Sequence, residues 1–291
     1  MIDVSKVSFS YDKGISVIRN VTMKESEPVI AGLWGRNGAG KTTLMKLLAG
    51  HERPESGSVR IMSEEPYNNW QAVQKICYMQ EDQHISWLWT VKEVLHLAHY
   101  YNPNWDQQMA ERLLRIFELD QHKKVVKLSK GMKSALHYII GLSSKAEITM
   151  LDEPINGLDA GMRKKLYETL LESHAECPRL IMISTHHIEE LQPLFETLAI
   201  LHHGRLLFYR PLEEVRESGV WLAGERTKIG KIKFNRPVLD RIISGSMMKV
   251  MIDTVYSLEL DQKAQEQGLT LEKAGMQDYL LGITAKEEVM V

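Results

Sequence analysis

A glycine-rich loop at residues 35–43 constrains the fold of this chain more than any other feature. It reads Gly-Arg-Asn-Gly-Ala-Gly-Lys-Thr-Thr and fills every fixed position of the G-x-x-x-x-G-K-[ST] phosphate loop. Those fixed positions are occupied by Gly35, Gly40, Lys41 and Thr42. The apolar run 29–34 predicts a strand before the loop, and residues 42–48 predict a helix after it. This order predicts an α/β fold that binds a nucleoside triphosphate.

Each part of the loop has a physical role toward phosphate. Glycines let the backbone approach closely, its N–H groups form a nest, and the helix N-terminus adds partial positive charge. Lys41 is expected to reach the β- and γ-phosphates, and Thr42 to hold Mg²⁺. The residues expected to contact ATP here are Gly35, Asn37, Gly38, Ala39, Gly40, Lys41, Thr42 and Thr43. A chance glycine-rich turn is the alternative, and the flanking strand and helix argue against it.

The composition of the chain limits which kinds of partner we expect it to bind. The chain has 291 residues, 44% of them hydrophobic and 25% charged, which permits one large domain or two. Its net charge of -2 gives no basic footprint, so no nucleic-acid partner is expected. Cys77 and Cys177 lie far apart and suggest neither a disulfide framework nor a zinc site. We expect a cytoplasmic chain without a signal peptide or membrane-spanning helix.

A second motif places two acids at the end of an apolar run. Residues 148–153 read Ile-Thr-Met-Leu-Asp-Glu, the form of a Walker B strand. Asp152 is expected to bind Mg²⁺. Because strand residues alternate faces, Glu153 is expected to face the γ-phosphate and act as the general base for the attacking water. The alternative is an exposed Asp-Glu pair that only solubilises a turn.

A third motif resembles the signature of one family. Residues 128–132 read Leu-Ser-Lys-Gly-Met and are similar to the Leu-Ser-Gly-Gly-Gln signature of ATP-binding cassette (ABC) proteins, about twenty residues before Asp152 as in that family. Further matches are Gln80 to the Q-loop, 156–159 to the D-loop and His186 to the switch histidine. The resemblance covers residues 1 to about 215 and implies an ABC ATPase.

The resemblance implies roles for single residues. Tyr11 matches the aromatic residue that stacks on adenine, and Gln80 would be a Mg²⁺ ligand. His186 would donate to the γ-phosphate and orient the water, with His187 on the opposite face if the segment is strand-like. Ser129 and Gly131 would cap the γ-phosphate of ATP held by a second cassette. Simple packing is the alternative for Tyr11 taken alone, and a lone glutamine such as Gln80 would indicate no function. Metal binding by the paired histidines is disfavoured.

The signature departs from the family pattern at two positions. Lys130 replaces a glycine and Met132 replaces a glutamine. A lysine beside phosphate would either strengthen ATP capture or hinder product release. The third reading is that Lys130 points into solvent and is tolerated.

The pattern along the chain predicts a P-loop NTPase cassette over residues 1–215 and a small α+β accessory domain over 216–291. The cassette is expected to have an antiparallel β portion at its N-terminus, a mixed sheet, and a helical signature subdomain at about 81–145. In the accessory domain we expect a β-like stretch that carries Lys228, Lys231 and Lys233. A helix is expected over 270–282.

The resemblance implies an ATP-hydrolysing subunit that energises transport through separate integral membrane subunits, on the cytoplasmic face of the membrane. Two cassettes would pack head to tail, as a homodimer or a heterodimer. The segment 82–90, with Trp87 and Trp89, is a candidate docking site for the membrane subunit, or else part of the helical core. Export is favoured by the short tail. Alternatives are an importer subunit, a non-transport cassette of DNA repair or iron-sulfur assembly, and a translation-type cassette. The substrate cannot be read from this chain.

Overall fold

The computed structural model describes residues 1–12, 14–80 and 88–289 and divides the chain into two compact units. The first unit comprises Met1–His187 and Leu191–Tyr209. The second comprises Ile188–Glu190 and Arg210–Val291. The assignment of these units as a cassette and an accessory domain remains a prediction. Trp87 and most of the candidate docking segment lie outside the described residues.

The elements up to residue 211 alternate strands with helices. The strands are β1 (Ile2–Ser10), β2 (Ser16–Glu25), β3 (Ile30–Trp34), β4 (Ser56–Ile61), β5 (Ile76–Met79), β6 (Ile148–Asp152), β7 (Leu180–Thr185), β8 (Thr197–His202) and β9 (Arg205–Pro211). The helices are α1 (Lys41–Leu48), α2 (Trp70–Val73), α3 (Val91–Tyr101), α4 (Gln107–Ile116), α5 (Lys130–Ser143), α6 (Ala160–Glu176) and α7 (Ile188–Leu191).

The central sheet has the strand order β5-β6-β7-β3-β8-β9. Its first five strands run parallel, and β3, β6 and β7 are buried at every residue. Such continuous burial is typical of parallel strands covered on both faces, and it explains their unbroken apolar sequences. Because the strands are parallel, the residues that follow β3, β5, β6 and β7 meet at one edge of the sheet. Together with the smaller antiparallel sheet below, this confirms the predicted mixed α/β cassette fold.

A second, antiparallel sheet of order β2-β1-β4 forms the N-terminal β portion. Its inward-facing side chains join one hydrophobic core with α1 and the central sheet. Val4, Val21 and Leu44 are among the fully buried members of that core. The core therefore holds the helix after the phosphate loop against both sheets.

Helices α3, α4 and α5 lie between β5 and β6 in the sequence and form a helical layer. Thr90 and Glu93 make a capping box that starts α3. The buried Tyr138 hydroxyl of α5 donates to the carbonyl oxygen of Leu166 in α6 at 2.8 Å, which ties this layer to the helix that follows the acidic motif. Across the described residues, no helix is long and apolar enough to cross a membrane.

The C-terminal unit has a β-α-β-β-α-β order followed by a last helix. Its elements are α8 (Leu212–Arg216), β10 (Ser218–Glu225), α9 (Arg226–Ile229), β11 (Val238–Ser244), β12 (Met247–Val255), α10 (Leu258–Glu266), β13 (Thr270–Lys273) and α11 (Met276–Val289). The sheet order is β11-β12-β10-β13 with every neighbouring pair antiparallel. This is the split β-α-β topology of ferredoxin-like folds.

Two sequence expectations for this unit are wrong. Lys228 lies in helix α9, and Lys231 and Lys233 lie in the connection before β11 and not in a strand. The helix expected over 270–282 begins only at Met276, because residues 270–273 form strand β13 and pair with β10. In both places contacts with distant residues override the local pattern.

Candidate active site

The phosphate loop connects β3 to α1 at the carboxyl edge of the central sheet. A Cβ atom on Gly35 would lie 2.5 Å from the carbonyl oxygen of Leu201, so only glycine fits there. Gly40 caps α1 in the left-handed region with φ of 103°. An open pocket of about 250 Å³ lies against the loop. Its lining residues are Val17, Arg36, Asn37, Gly38, Ala39, Gly40, Lys41, Thr42, Thr43, Asp152 and Glu153.

The side chains of Thr42 and Asp152 are in contact, although 110 positions separate them in the sequence. The Thr42 hydroxyl donates to Asp152 Oδ2 at 2.7 Å, and the Ser184 hydroxyl donates to Asp152 Oδ1. Asp152 is only 5% exposed. Burial raises the pKa of its carboxyl, and the hydrogen bonds from Ser184 and Thr42 oppose that rise. The predicted pair of Mg²⁺ ligands is therefore assembled at one point.

Glu153 reaches the pocket for a different reason from the one expected. Strand β6 ends at Asp152, and Glu153 has left-handed backbone with φ of 50°. Its N–H donates to the Ser184 carbonyl oxygen at 3.2 Å, which fixes this turn. A kink, and not strand alternation, sets the direction of the Glu153 side chain.

Lys41, Glu153 and His186 form a polar cluster in which Lys41 and Glu153 are buried and His186 is half-buried. Glu153 Oε1 lies 3.1 Å from Lys41 Nζ and 2.9 Å from His186 Nδ1. Lys41 Nζ also donates to the Gly35 carbonyl oxygen at 2.7 Å. The second carboxylate oxygen of Glu153, Oε2, is buried and accepts no hydrogen bond from the described residues. One oxygen of this carboxylate is therefore held by Lys41 and His186, while the other makes no hydrogen bond to the described residues.

The two adjacent histidines do not face opposite directions. Strand β7 ends at Thr185, so strand alternation does not apply to residues 186 and 187. Their ring centroids lie 3.8 Å apart. The condition on which His187 was expected to face away from His186, a strand-like segment, is therefore not met, and His186 contacts Glu153.

Tyr11 and Gln80 border the loop from two sides. The Tyr11 hydroxyl is 3.3 Å from Thr43 Oγ1, and its ring is 50% exposed. Gln80 hydrogen-bonds to the side chain of Tyr78, whose hydroxyl donates to the Thr42 carbonyl oxygen at 3.5 Å. Tyr11 thus presents an open aromatic surface beside the loop, while Gln80 is connected to it through Tyr78.

The signature residues lie at the start of α5, away from the phosphate-loop pocket. Ser129 caps the helix by accepting from the Met132 N–H at 3.2 Å. A Cβ atom on Gly131 would lie 2.4 Å from the Gly157 carbonyl oxygen, so this glycine allows the helix to touch the segment after β6. Ser134 donates to the Asn156 carbonyl oxygen at 2.7 Å. Neither Ser129 nor Gly131 lines the 250 Å³ pocket, and a role toward a second cassette stays a prediction.

Sequence reasoning missed three residues of the site. Ser184 binds both Asp152 and the Glu153 backbone, and the signal in the sequence is a serine and a threonine that follow four apolar residues of the strand. Val17 and Arg36 line the pocket. Val17 follows from no local motif, because β2 approaches the loop only through the tertiary fold.

The donor set fits a magnesium ion that is shared with phosphate. Thr42 and Asp152 offer a hydroxyl and a carboxylate oxygen, the hard ligands that Mg²⁺ prefers, with the remaining positions left to water and phosphate. Within the described residues, no group of three or more His, Cys, Asp or Glu side chains could hold a metal alone. Thr42 and Asp152 are thus two described residues that could hold Mg²⁺ together with phosphate.

Asp152→Asn is expected to stabilise the nucleotide-free protein while abolishing Mg²⁺-dependent hydrolysis. Burial raises the folded-state pKa above the unfolded value, so the cost of holding the carboxylate ionised begins as pH rises above the unfolded pKa and is complete above the folded pKa. Asparagine keeps an acceptor for Thr42 and removes this cost. The unfolding midpoint should rise by about 2 °C at neutral pH. Calorimetry across pH checks this: the gain must shrink on acidification, and a gain independent of pH contradicts it.

Fold and site together define a class. A phosphate loop after β3, an acidic pair after β6, a histidine after β7 and a signature-like helix start at α5 occur in ABC ATPase cassettes. Comparison with known proteins agrees. The "ABC transporter" family model matches residues 18–156.

Relatives and a solved structure extend the match. The "ABC transporter ATP-binding protein YtrB" of Bacillus subtilis is 27% identical over 218 residues, which cover 75% of this chain and 74% of that protein. The "Uncharacterized ABC transporter ATP-binding protein YcbN" of the same organism is 28% identical over 290 residues, 96% of this chain and 92% of that one. A solved "ATP binding subunit of ABC transporter" aligns with TM-score 0.67 at 26% identity, over 74% of this chain and 92% of the other.

A further relative bears on direction of transport. The "Spermidine/putrescine import ATP-binding protein PotA" of Fusobacterium nucleatum is 25% identical over 274 residues, 91% of this chain and 72% of that protein. Residues 18–156 of the chain match the ABC transporter family, and the chain is similar to ATP-binding subunits of that family.

Proposed function

We propose that this chain energises export through separate membrane subunits, with Glu153 as the general base of its ATPase reaction. The observation that carries the catalytic part is the Lys41–Glu153–His186 cluster, in which Glu153 Oε2 is buried and accepts no hydrogen bond from the described residues. A carboxylate oxygen of this kind is suited to take a proton from water. His186 would keep Glu153 oriented and contact the γ-phosphate.

The remaining site residues would bind and position ATP. Lys41 would exchange its contact with Glu153 for the β- and γ-phosphates, and Thr42 and Asp152 would hold Mg²⁺, which neutralises phosphate charge. Tyr11 would stack on adenine. Ser129 and Gly131 would serve the nucleotide of a second cassette, so that hydrolysis requires a dimer. A related fold is described as a "Dimeric Structure" of a bacterial ABC transporter cassette.

Recruitment of the membrane subunit would use an apolar groove next to the Q-loop. This groove of about 230 Å³ is lined by aromatic side chains that include Trp70, Tyr78 and Tyr101. Trp70 is 60% exposed and Tyr101 is 56% exposed. Exposed aromatic rings around a groove favour insertion of a partner's helix.

The test is co-purification of the tagged chain with an integral membrane protein from its own membranes. Trp70→Ala should lose at least tenfold of the recovered partner, since aromatic anchors dominate such interfaces, with the ATPase rate of the isolated chain unchanged. Leu171→Ala is the matched control, because Leu171 is 48% exposed on α6, away from the groove. Equal recovery with both variants rejects the groove, and no partner with any variant rejects the transport role.

Direction needs a separate measurement. Export is favoured because the C-terminal unit follows the cassette directly and is small, whereas the similarity to an import subunit favours the alternative. Inside-out vesicles that contain the recovered membrane partner would accumulate substrate in an ATP-dependent manner if transport is outward. ATP-dependent loss of preloaded substrate from such vesicles would reverse the assignment.

A further inference from the structure

We propose that the C-terminal unit carries a docking surface for an anionic phospholipid bilayer, formed by residues 226–247. This basic hairpin surface comprises α9, the connection to β11, strand β11 and the turn into β12. It combines an exposed aliphatic tip with cations that form no ion pair with the described residues, although Lys228 Nζ donates to the Gln267 carbonyl oxygen at 3.3 Å.

The tip of the β11–β12 hairpin is apolar on both faces. Ile242, Ile243 and Met247 are 50%, 52% and 51% exposed. Ile242 pairs with Lys249 and Ile243 with Met248, so the two isoleucines point to opposite faces of the sheet. A sheet that packs one face on its own core places polar residues on the other, and this tip breaks that rule. Aliphatic side chains grouped at an exposed tip mark an interaction site.

Cations flank the tip. Residues 226–247 contain six basic residues and one acidic residue, a net charge of +5 in a chain whose total is -2. The six are Arg226, Lys228, Lys231, Lys233, Arg236 and Arg241, and all are exposed. None of them forms an ion pair with any described residue. The Arg226 N–H donates to the Ser246 carbonyl oxygen at 2.8 Å, which brings the start of the cationic segment against the hairpin turn.

Packing of the connection before β11 against the core of the C-terminal unit leaves its lysines exposed to solvent. Ile232 and Phe234 pack against the hydrophobic cluster that contains Leu222 and Val250. Lys231 and Lys233 alternate with them and are exposed. The connection therefore presents its lysines to solvent beside the edge strand β11.

This chemistry fits a lipid surface better than other partners. Nucleic acid binds sheets through exposed aromatic rings, but Trp221 in the centre of this sheet is 6% exposed, with Lys249 Nζ 5.2 Å from its ring centroid. A second copy would bring one +5 surface against another, which is repulsive. An anionic bilayer offers negative headgroups for the lysines and an acyl boundary for the isoleucines.

Vesicle co-sedimentation of the full chain tests this surface. We expect binding to phosphatidylcholine vesicles mixed with phosphatidylglycerol, little binding to phosphatidylcholine alone, and release by salt. Lys231→Gln with Lys233→Gln should weaken binding about thirty-fold. Ile242→Thr with Ile243→Thr keeps the β-branched shape and should weaken it about tenfold. The controls are Leu258→Thr, at an apolar side chain 74% exposed on α10, and Lys263→Gln, both with unchanged binding.

Several outcomes overturn the proposal. These are no vesicle binding, equal binding to neutral and anionic vesicles, and equal effects of the test and control variants. If the same variants instead abolish binding to an RNA or self-association seen by light scattering, the surface belongs to that partner. The vesicles contain no protein and the assay needs no ATP. Failure here therefore leaves the proposed ATPase and membrane-subunit roles untouched.

Discussion

Glu153→Gln is expected to lower the rate of ATP hydrolysis by about a hundredfold or more while ATP binding is retained. Glutamine preserves the shape and still offers an oxygen to Lys41 Nζ and His186, which lie 3.1 and 2.9 Å from Glu153 Oε1. It cannot accept a proton from water. The variant should therefore accumulate in the ATP-bound state. If two cassettes close around ATP before hydrolysis, as proposed above, the dimer should persist.

Two readouts separate this result from general damage. Single-turnover hydrolysis gives the chemical step, and light scattering with and without ATP and Mg²⁺ gives the mass. Glu176→Gln is the matched control, since Glu176 is exposed at the end of α6 and is not among the residues that line the phosphate-loop pocket. Unchanged hydrolysis in Glu153→Gln removes the base assignment. A monomer that stays monomeric with ATP requires a different second cassette, or a signature weakened by Lys130.

The phosphate loop and the Asp152 strand could be predicted because their geometry is local. Gly40 meets a local backbone requirement, its left-handed φ of 103°, and the strand, loop and helix order fixes the direction of α1. The apolar runs 29–34 and 148–151 both predict buried strands. In a parallel sheet the ends of such strands lie at one edge, which is where Asp152 contacts Thr42. The roles of these residues in catalysis are still predictions.

The site details that failed depend on conformation that sequence does not encode locally. A non-glycine residue in the left-handed region is uncommon, and the Asp-Glu sequence does not predict the φ of 50° at Glu153. Ser184 lies 31 positions after Glu153 and contacts it only because β6 and β7 are neighbours. His187 was placed by strand alternation, but the strand stops at Thr185.

The C-terminal unit was the least predictable part. Residues 270–273 have no strong strand pattern and become a strand because they pair with β10, about 50 positions earlier. The spacing of Lys228, Lys231 and Lys233 suggested a strand, yet Ile229 is buried as the last residue of the short helix α9. Strand formation depends on available partners, so short segments of this kind are decided by tertiary packing.

Lys41→Met is expected to weaken ATP binding by about a hundredfold or more, because it truncates one partner of a charge pair with phosphate. It should also destabilise the nucleotide-free protein. The side chains of Lys41 and Glu153 are only 7% and 8% exposed, so the substitution leaves a buried carboxylate without its cation. Breaking a buried pair in this way costs about 3 kcal/mol. Urea unfolding and equilibrium nucleotide binding measure the two effects separately.

The double variant Lys41→Met/Glu153→Gln distinguishes two causes of the lost stability: the buried carboxylate left without a cation, and the lost packing of the lysine side chain. If the carboxylate left behind causes the destabilisation, the double variant should recover most of the stability lost by Lys41→Met, yet still fail to bind ATP. Lys75→Met is the comparison, since Lys75 pairs with Glu64 at the same 3.1 Å but with 29% and 33% exposure. That pair should be worth below about 1 kcal/mol. Equal instability of the single and double variants would instead assign the loss to packing of the lysine stem against the loop.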